Sequence, residues 1–241
     1  MLTLAAGEAH HAIHVLRLRP GEPVIVLDGA GSEIHCDVQN VKRDTVQLLA
    51  RERRFVPAPP FRITLIQGLP KGKIIESIIQ KATELGAARI VPLLSERATL
   101  RLDPATASQK TAKWQLVAME AIKQCGAPWL PKIEAPATPA EFLARHEPFD
   151  LPIIASLQTG ARHARHYFED FHKKNGRNPA SLSIWVGPEG DFTPGESAAI
   201  LASGALPITL GTLVLRCETA ATYCLSILNY ELTANTTPPA Q

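Results

Sequence analysis

The 241-residue chain carries 25 Lys and Arg against 23 Asp and Glu, a net charge of +2, with 45% hydrophobic and 20% charged residues. That balance excludes a disordered or fibrous polypeptide and leaves a globular chain with room for one large domain or two smaller ones. No apolar run approaches the roughly 20 residues that span a bilayer. Met1 to His14 lacks the basic start and apolar middle of a signal peptide, so a cytoplasmic protein without membrane contact is expected.

The first 55 residues read as β-rich. A short helix is expected over Gly7 to Leu18, and Pro20-Gly21 marks a turn. Val24 to Leu27 is an apolar strand. Asp28-Gly29-Ala30-Gly31 is a hairpin signal, Glu33 to Val41 alternates, and Thr45 to Leu49 forms a further strand. Together they suggest a small barrel-like module over 1–56. Pro57-Ala58-Pro59-Pro60 breaks helix and strand alike and reads as a linker over 57–60.

From residue 61 to 241 strands alternate with helices. Phe61 to Gln67 is a buried strand. Ile74, Ile75, Ile78, Ile79, Ala82 and Leu85 recur at helical spacing over Lys73 to Leu85, and Gly86 suits a C-terminal cap. Arg89 to Leu94 is the next strand. Asp103-Pro104 opens a helix with Trp114, Val117, Ala118, Ala121, Ile122 and Cys125 on one face, ended by Gly126. Leu151 to Ala155 and Leu182 to Val186 are buried strands. Thr193-Pro194-Gly195-Glu196 is a capping box, Pro207 to Leu210 a short strand, and Glu218 to about Leu232 the last helix. Thr236 to Gln241 reads as a frayed tail. The alternation predicts an α/β fold with a mostly parallel sheet.

Charge is uneven along the chain. Residues 61–125 hold ten Lys and Arg against five Asp and Glu, whereas residues 126–241 hold eight against eleven. The basic block is a candidate for phosphate contacts, with a solvated helix face as the alternative. Cys36, Cys125, Cys217 and Cys224 form neither a disulfide framework nor a zinc spacing and read as reduced thiols. His10 and His14 share a helix face with His11 nearby, but no third ligand stands at a fixed offset, so no metal is expected. Gly68 to Lys73 resembles a phosphate loop superficially. Only three residues separate its glycines, and Ile74 stands where a magnesium-binding hydroxyl belongs.

The strongest local feature is Val186-Gly187-Pro188-Glu189-Gly190-Asp191, between a buried strand and a capped helix. Ligands of open α/β sheets bind beyond the carboxyl ends of the strands, and glycine lets the backbone come close. Leu210-Gly211 and Ala155-Ser156-Leu157-Gln158 end two other strands in the same way. Three such loops suit an adenosine-sized ligand. Spacing alone equally allows three ordinary turns.

Gly187-Pro188-Glu189-Gly190, Leu210-Gly211 and Leu215-Arg216-Cys217-Glu218-Thr219-Ala220 resemble the SPOUT methyltransferases. His14-Val15-Leu16-Arg17-Leu18, Gln80 to Gly86, Ser95-Glu96-Arg97 and Glu120 to Gly126 narrow the resemblance to the RsmE family, the 16S rRNA uridine N3-methyltransferases. It covers nearly the whole chain. It implies a PUA-like RNA-binding barrel, a SPOUT domain with a C-terminal trefoil knot, a homodimer, S-adenosyl-L-methionine as cofactor, and 16S rRNA, within the small ribosomal subunit, as partner. The cofactor is expected against Ala155, Ser156, Leu157 and Gln158, against Gly187, Pro188, Glu189 and Gly190, and against Leu210, Gly211, Leu215 and Arg216.

Three departures from the family pattern stand out. Asp191 occupies a position that is usually glycine, Ala127 one that is usually arginine, and the barrel is expected without its usual first strand. Methylation of uridine N3 requires loss of its proton. The resemblance therefore implies Arg216 as stabiliser of the anion and Glu218 or Glu189 as base, with helix capping or pairing to Arg216 as other roles for Glu218. His14, Arg17, Arg19, Lys71, Lys73, Lys81 and Arg97 are candidate RNA contacts. A SPOUT enzyme acting on another RNA position and a non-catalytic RNA-binding protein are the rival readings.

Overall fold

The computed structural model describes residues 1–98, 102–158 and 160–233, so the expected frayed tail lies outside the described residues. The chain divides into two compact units, one of Met1–Ala58 with Gly126–Trp129, the other of Pro59–Cys125 with Leu130–Gln241.

The first unit is a four-stranded antiparallel sheet. Its strands β1 (Leu2–Ala5), β2 (Pro23–Leu27), β3 (Ser32–Val41) and β4 (Thr45–Phe55) lie in the order β1-β4-β3-β2. The sequence reading has no strand ahead of its first helix, yet Leu2–Ala5 pairs with Thr45–Leu48 and fills that edge. Strand β4 also runs to Phe55, past the expected end at Leu49, because Ser32 to His35 of β3 pair with Glu52 to Phe55. Helix α1 (Ala6–His10) continues as a π-helical turn over His11–Val15. It closes a small core of Ala12, Cys36, Val38, Val46 and Leu48.

The four residues Gly126–Trp129 complete this unit from far along the chain. Trp129 bridges to Ala30, donates from Nε1 to the Val56 carbonyl at 3.0 Å, and meets Phe55 edge-on with centroids 6.0 Å apart. A Cβ on Gly31 would lie 2.6 Å from the indole, so glycine is required there.

The second unit is a six-stranded parallel sheet. Its strands are β5 (Arg62–Gly68), β6 (Ala87–Leu93), β7 (Lys132–Ile133), β8 (Leu151–Ala155), β9 (Ser181–Val186) and β10 (Leu206–Ile208), in the order β10-β8-β9-β5-β6-β7. The central strands β5 and β9 are buried on both faces, which explains their continuous apolar runs. Helices α2 (Ile74–Glu84), α3 (Pro104–Cys125), α5 (Ala164–Asn175) and α7 (Cys217–Thr233) cover one face. Helices α4 (Pro139–Leu143) and α6 (Pro194–Ala202) cover the other, over Ile66, Trp185 and Phe192. The sequence reading names neither α4 nor α5 nor β7. Cys125, expected on the buried face of α3, is exposed in the helix's last turn.

Candidate active site

Strands β8, β9 and β10 are neighbours in the sheet, and their carboxyl ends open onto one cavity of about 440 Å³. Its wall takes Ala155, Ser156 and Leu157 after β8, Val186 to Glu189 and Asp191 after β9, and Leu210 to Ala220, Thr212 and Thr219 excepted, before and into α7. Ile74, the first residue of α2, adds an apolar patch from the β5 side. Ile74 packs against the core, as its helical spacing suggests, and also reaches the cavity wall because it opens the helix beside the end of β5.

The loop after β9 is held from several directions. Asp191 N donates to the Pro188 carbonyl at 2.9 Å, which closes a tight turn. The turn needs a left-handed residue at its end, and Asp191 supplies it with φ of 58°. Its Oδ1 accepts from Phe192 N at 2.8 Å. Phe192 in turn is buried edge-on against Trp185. Gly68 allows the close approach of β5, since a Cβ there would lie 2.5 Å from Pro188. Arg97 donates to the Gly190 carbonyl at 2.7 Å, and Glu189 Oε1 accepts from Lys71 N at 3.0 Å.

The capping box of α6 reaches the same region. Glu196 accepts from Thr193 N through Oε2 and from Glu96 N through Oε1, at 2.9 and 2.8 Å. One buried carboxylate thus ties the Ser95-Glu96-Arg97 loop to the start of a helix whose amide dipoles favour a negative charge.

Arg216, Cys217 and Glu218 enter the cavity where α7 begins. The Arg216 carbonyl accepts from Ala220 N at 2.8 Å and starts the helix. Among the described residues its exposed guanidinium makes no hydrogen bond or ion pair, Glu218 included. The Cys217 thiol donates to Glu218 Oε2 at 3.4 Å. Burial, that hydrogen bond and the nearby carboxylates of Glu189 and Glu218 push the thiol up to about 12. The site therefore holds a guanidinium that is unpaired among the described residues, the carboxylates of Glu189, Asp191 and Glu218, and a thiol that stays protonated.

An RNA methyltransferase domain matches residues 57–229, and an RNA methyltransferase PUA domain matches residues 4–50. The chain is 33% identical to ribosomal RNA small subunit methyltransferase E of Synechocystis over 231 residues, 95% of this chain and 72% of that protein. The chain belongs to the ribosomal RNA small subunit methyltransferase E family. A second member, from Bacillus subtilis, is 30% identical over 95% of this chain and 90% of its own length. The crystal structure of the Neisseria gonorrhoeae member bound to S-adenosyl methionine matches with a TM-score of 0.82 at 25% identity, over 95% of this chain and 91% of that one.

Against that family background, most residues expected at the cofactor site line the cavity, from Ala155, Ser156 and Leu157 through Gly187, Pro188 and Glu189 to Leu210, Gly211, Leu215 and Arg216. Gln158 and Gly190 are off its wall. Gly190 faces Arg97 instead, and Gln158 N bonds to Ser156 Oγ at 3.1 Å. Leu213 and Val214, within the stretch from Leu210 to Arg216 expected against the cofactor, also line the cavity, as does Cys217 just beyond it.

The candidate RNA contacts fall on both units. His14, Arg17 and Arg19 lie on the first, where His14 stacks on His10 with centroids 4.5 Å apart. Lys71, Lys73, Lys81 and Arg97 lie on the second, where Lys81 pairs with Glu84 at 2.8 Å. Among the described residues no group of three or more His, Cys, Asp or Glu is arranged to hold a metal, and no helix is long and apolar enough to cross a membrane.

Proposed function

We propose that the chain transfers the methyl group of S-adenosylmethionine to N3 of a uridine in 16S ribosomal RNA. The observation that carries this reading is the meeting of Arg216, Glu218 and Glu189 on a cavity walled by three strand-end loops. Its volume of about 440 Å³ falls within the range of roughly 300–1,000 Å³ for cofactor sites. Apolar Ile74, Val186 and Leu215 alternate there with the open backbone of Gly187 and Gly211, a mixture suited to a nucleoside with a charged end. Residues 155–158, 187–190 and 210–216 would hold the cofactor, which when bound supplies an electrophilic methyl group.

Uracil N3 carries a proton at neutral pH and is a poor nucleophile until it leaves. Arg216 stabilises the delocalised uridine anion with a planar donor set, and its freedom from ion pairs leaves those donors available. Glu218 or Glu189 accepts the proton. Among the described residues each is held through one oxygen, Glu218 by the Cys217 thiol and Glu189 by Lys71 N, so each keeps an oxygen for this task. Most of the acceleration comes from alignment of the reacting groups.

The reading extends to the assembly. The RNA is held by the PUA unit through His14, Arg17 and Arg19 and by Lys71, Lys73, Lys81 and Arg97, within the small ribosomal subunit in the cytoplasm. Two copies pair, a reading supported by exposed Leu213, Val214, Tyr223 and Tyr230. The C-terminal segment threads into a trefoil knot, as the family resemblance implies. Titration calorimetry with S-adenosylmethionine, followed by mass spectrometry of methylated rRNA, tests the proposal. Micromolar binding at one site per chain and a methyl group on uridine N3 are expected. A folded chain that binds no cofactor, or a methyl group on another atom, overturns it.

A further inference from the structure

Gln67 is the last residue but one of β5, and its side chain is wholly buried. Its Nε2 donates to the Gly68 carbonyl at 2.9 Å and lies 3.4 and 3.5 Å from the carbonyls of Val186 and Gly187. Only an amide nitrogen can face three carbonyl oxygens, which fixes the orientation of the group. The other end of the amide, Oε1, is buried and has no partner among the described residues. An unmet buried acceptor costs about 1–3 kcal/mol. A residue kept for packing alone would be apolar at this site, where Ile63 and Leu65 already occupy the same face of the strand.

The three carbonyls end two neighbouring strands, β5 and β9, that both lead to the cavity. Val186 and Gly187 line it directly, and the segment after Gly68 leads to Ile74, which also lines it. Gly68 and Pro188 are already in van der Waals contact with no room for a methyl group. One amide therefore ties together the ends of both strands at the cavity. We infer that Gln67 is a positioning residue for the cofactor cavity, acting through the Val186, Gly187 and Gly68 carbonyls to set the separation of its β5 and β9 walls. This inference rests on assigning the cavity to S-adenosylmethionine.

The test compares the full-length chain with Gln67→Leu, Gln67→Met and the core control Ile184→Val. Methionine fills the same volume with a flexible chain, so one variant folds if leucine does not. Amide hydrogen exchange of the free proteins and calorimetry with S-adenosylmethionine are the readouts. Removal of the amide is expected to speed exchange across 186–191 selectively and to weaken cofactor binding about tenfold, with a melting temperature close to wild type. Ile184→Val is expected to lower the melting temperature and leave cofactor affinity alone. Unchanged exchange in 186–191, faster exchange spread over the whole chain, or unchanged cofactor affinity overturns the inference. If the wild-type chain itself binds no cofactor, the cavity's assignment falls, and the exchange pattern alone decides whether Gln67 holds the walls.

Discussion

A Cβ on Gly187 would lie 2.5 Å from Oδ1 of Asp191 and 3.1 Å from its Cα. The two residues are opposite ends of one turn, and each limits what the other can be. Asp191 holds a backbone conformation that glycine usually takes, and it tolerates the strain because its carboxylate accepts from Phe192 N. The carboxylate then occupies the space that a side chain at 187 would need.

Gly187→Ala must therefore push the turn open. Overpacking of this kind costs about 1–3 kcal/mol, and here it is directed at the cavity wall. Cofactor affinity should fall more than about tenfold, a factor worth roughly 1.4 kcal/mol. The double variant Gly187→Ala with Asp191→Gly should recover much of that loss, because it removes the obstructing carboxylate and the φ strain together. Calorimetry on the three proteins measures it, and equal affinity in the single and double variants would show that Asp191 does not limit position 187.

This turn also shows what the sequence made legible. Val186 to Asp191 stands out because two glycines follow an apolar strand, and the cavity lies there. The capping box at Thr193 is equally local and equally clear. Contacts without a local pattern are not visible in this way. Nothing around Trp129 announces that it returns to Gly31 and Phe55 in the first unit. The division at the Pro-rich segment is a local signal, whereas the Gly126–Trp129 strap depends on a pairing across about a hundred residues. Strand β4 outlasts its apolar run for the same reason, since Glu52 to Phe55 are held by β3 and not by burial. Ile74 shows a further limit, since a residue in helical register that packs against the core also lines the cavity, which periodicity does not reveal.

Arg216→Ala should separate binding from chemistry. The guanidinium reaches the cavity without a partner among the described residues, so its loss leaves no buried charge exposed and little of the wall altered. Removal of one preorganised donor to a developing anion costs about 10²–10³ in kcat. Cofactor affinity should change less than about threefold, because the rest of the wall is left intact. Single-turnover kinetics at saturating cofactor is the measurement. Turnover within tenfold of wild type would remove Arg216 from the mechanism.

Cysteine reactivity offers a check on the burial of the site. Cys217 and Cys224 are pushed up to about 12 by burial, with carboxylates adding to the effect at Cys217. Burial also raises the Cys36 thiol, whereas Cys125 is exposed. The thiolate is the reactive form. Iodoacetamide at pH 8 should therefore modify Cys125 alone in the native protein and all four cysteines after denaturation. Peptide mass spectrometry reads this directly, and fast native labelling of Cys217 would mean that the start of α7 opens readily.

Asp150 supplies a pH dependence that can be assigned to one residue. It sits just before β8 and binds the Arg177 guanidinium through both oxygens, at 2.8 and 2.9 Å. Ala180 N donates to it as well, at 2.7 Å, which joins the entries of β8 and β9. The Arg177 hydrogen bonds foremost, aided by Ala180 N, hold the carboxyl down from its ordinary 3.8 to about 2. A carboxyl depressed on folding contributes stability that is complete above its unfolded value and disappears as pH falls through its folded one. The contribution of Asp150 is therefore intact at neutral pH and lost as the pH drops from near 4 toward 2. Asp150→Asn should be less stable than wild type at pH 7, and the gap should narrow across that acid window. Urea melts of both proteins from pH 7 to pH 2 measure the difference, which cancels the contributions of the other carboxylates. Curves that stay parallel through the window would show that the Arg177 pair contributes nothing to stability.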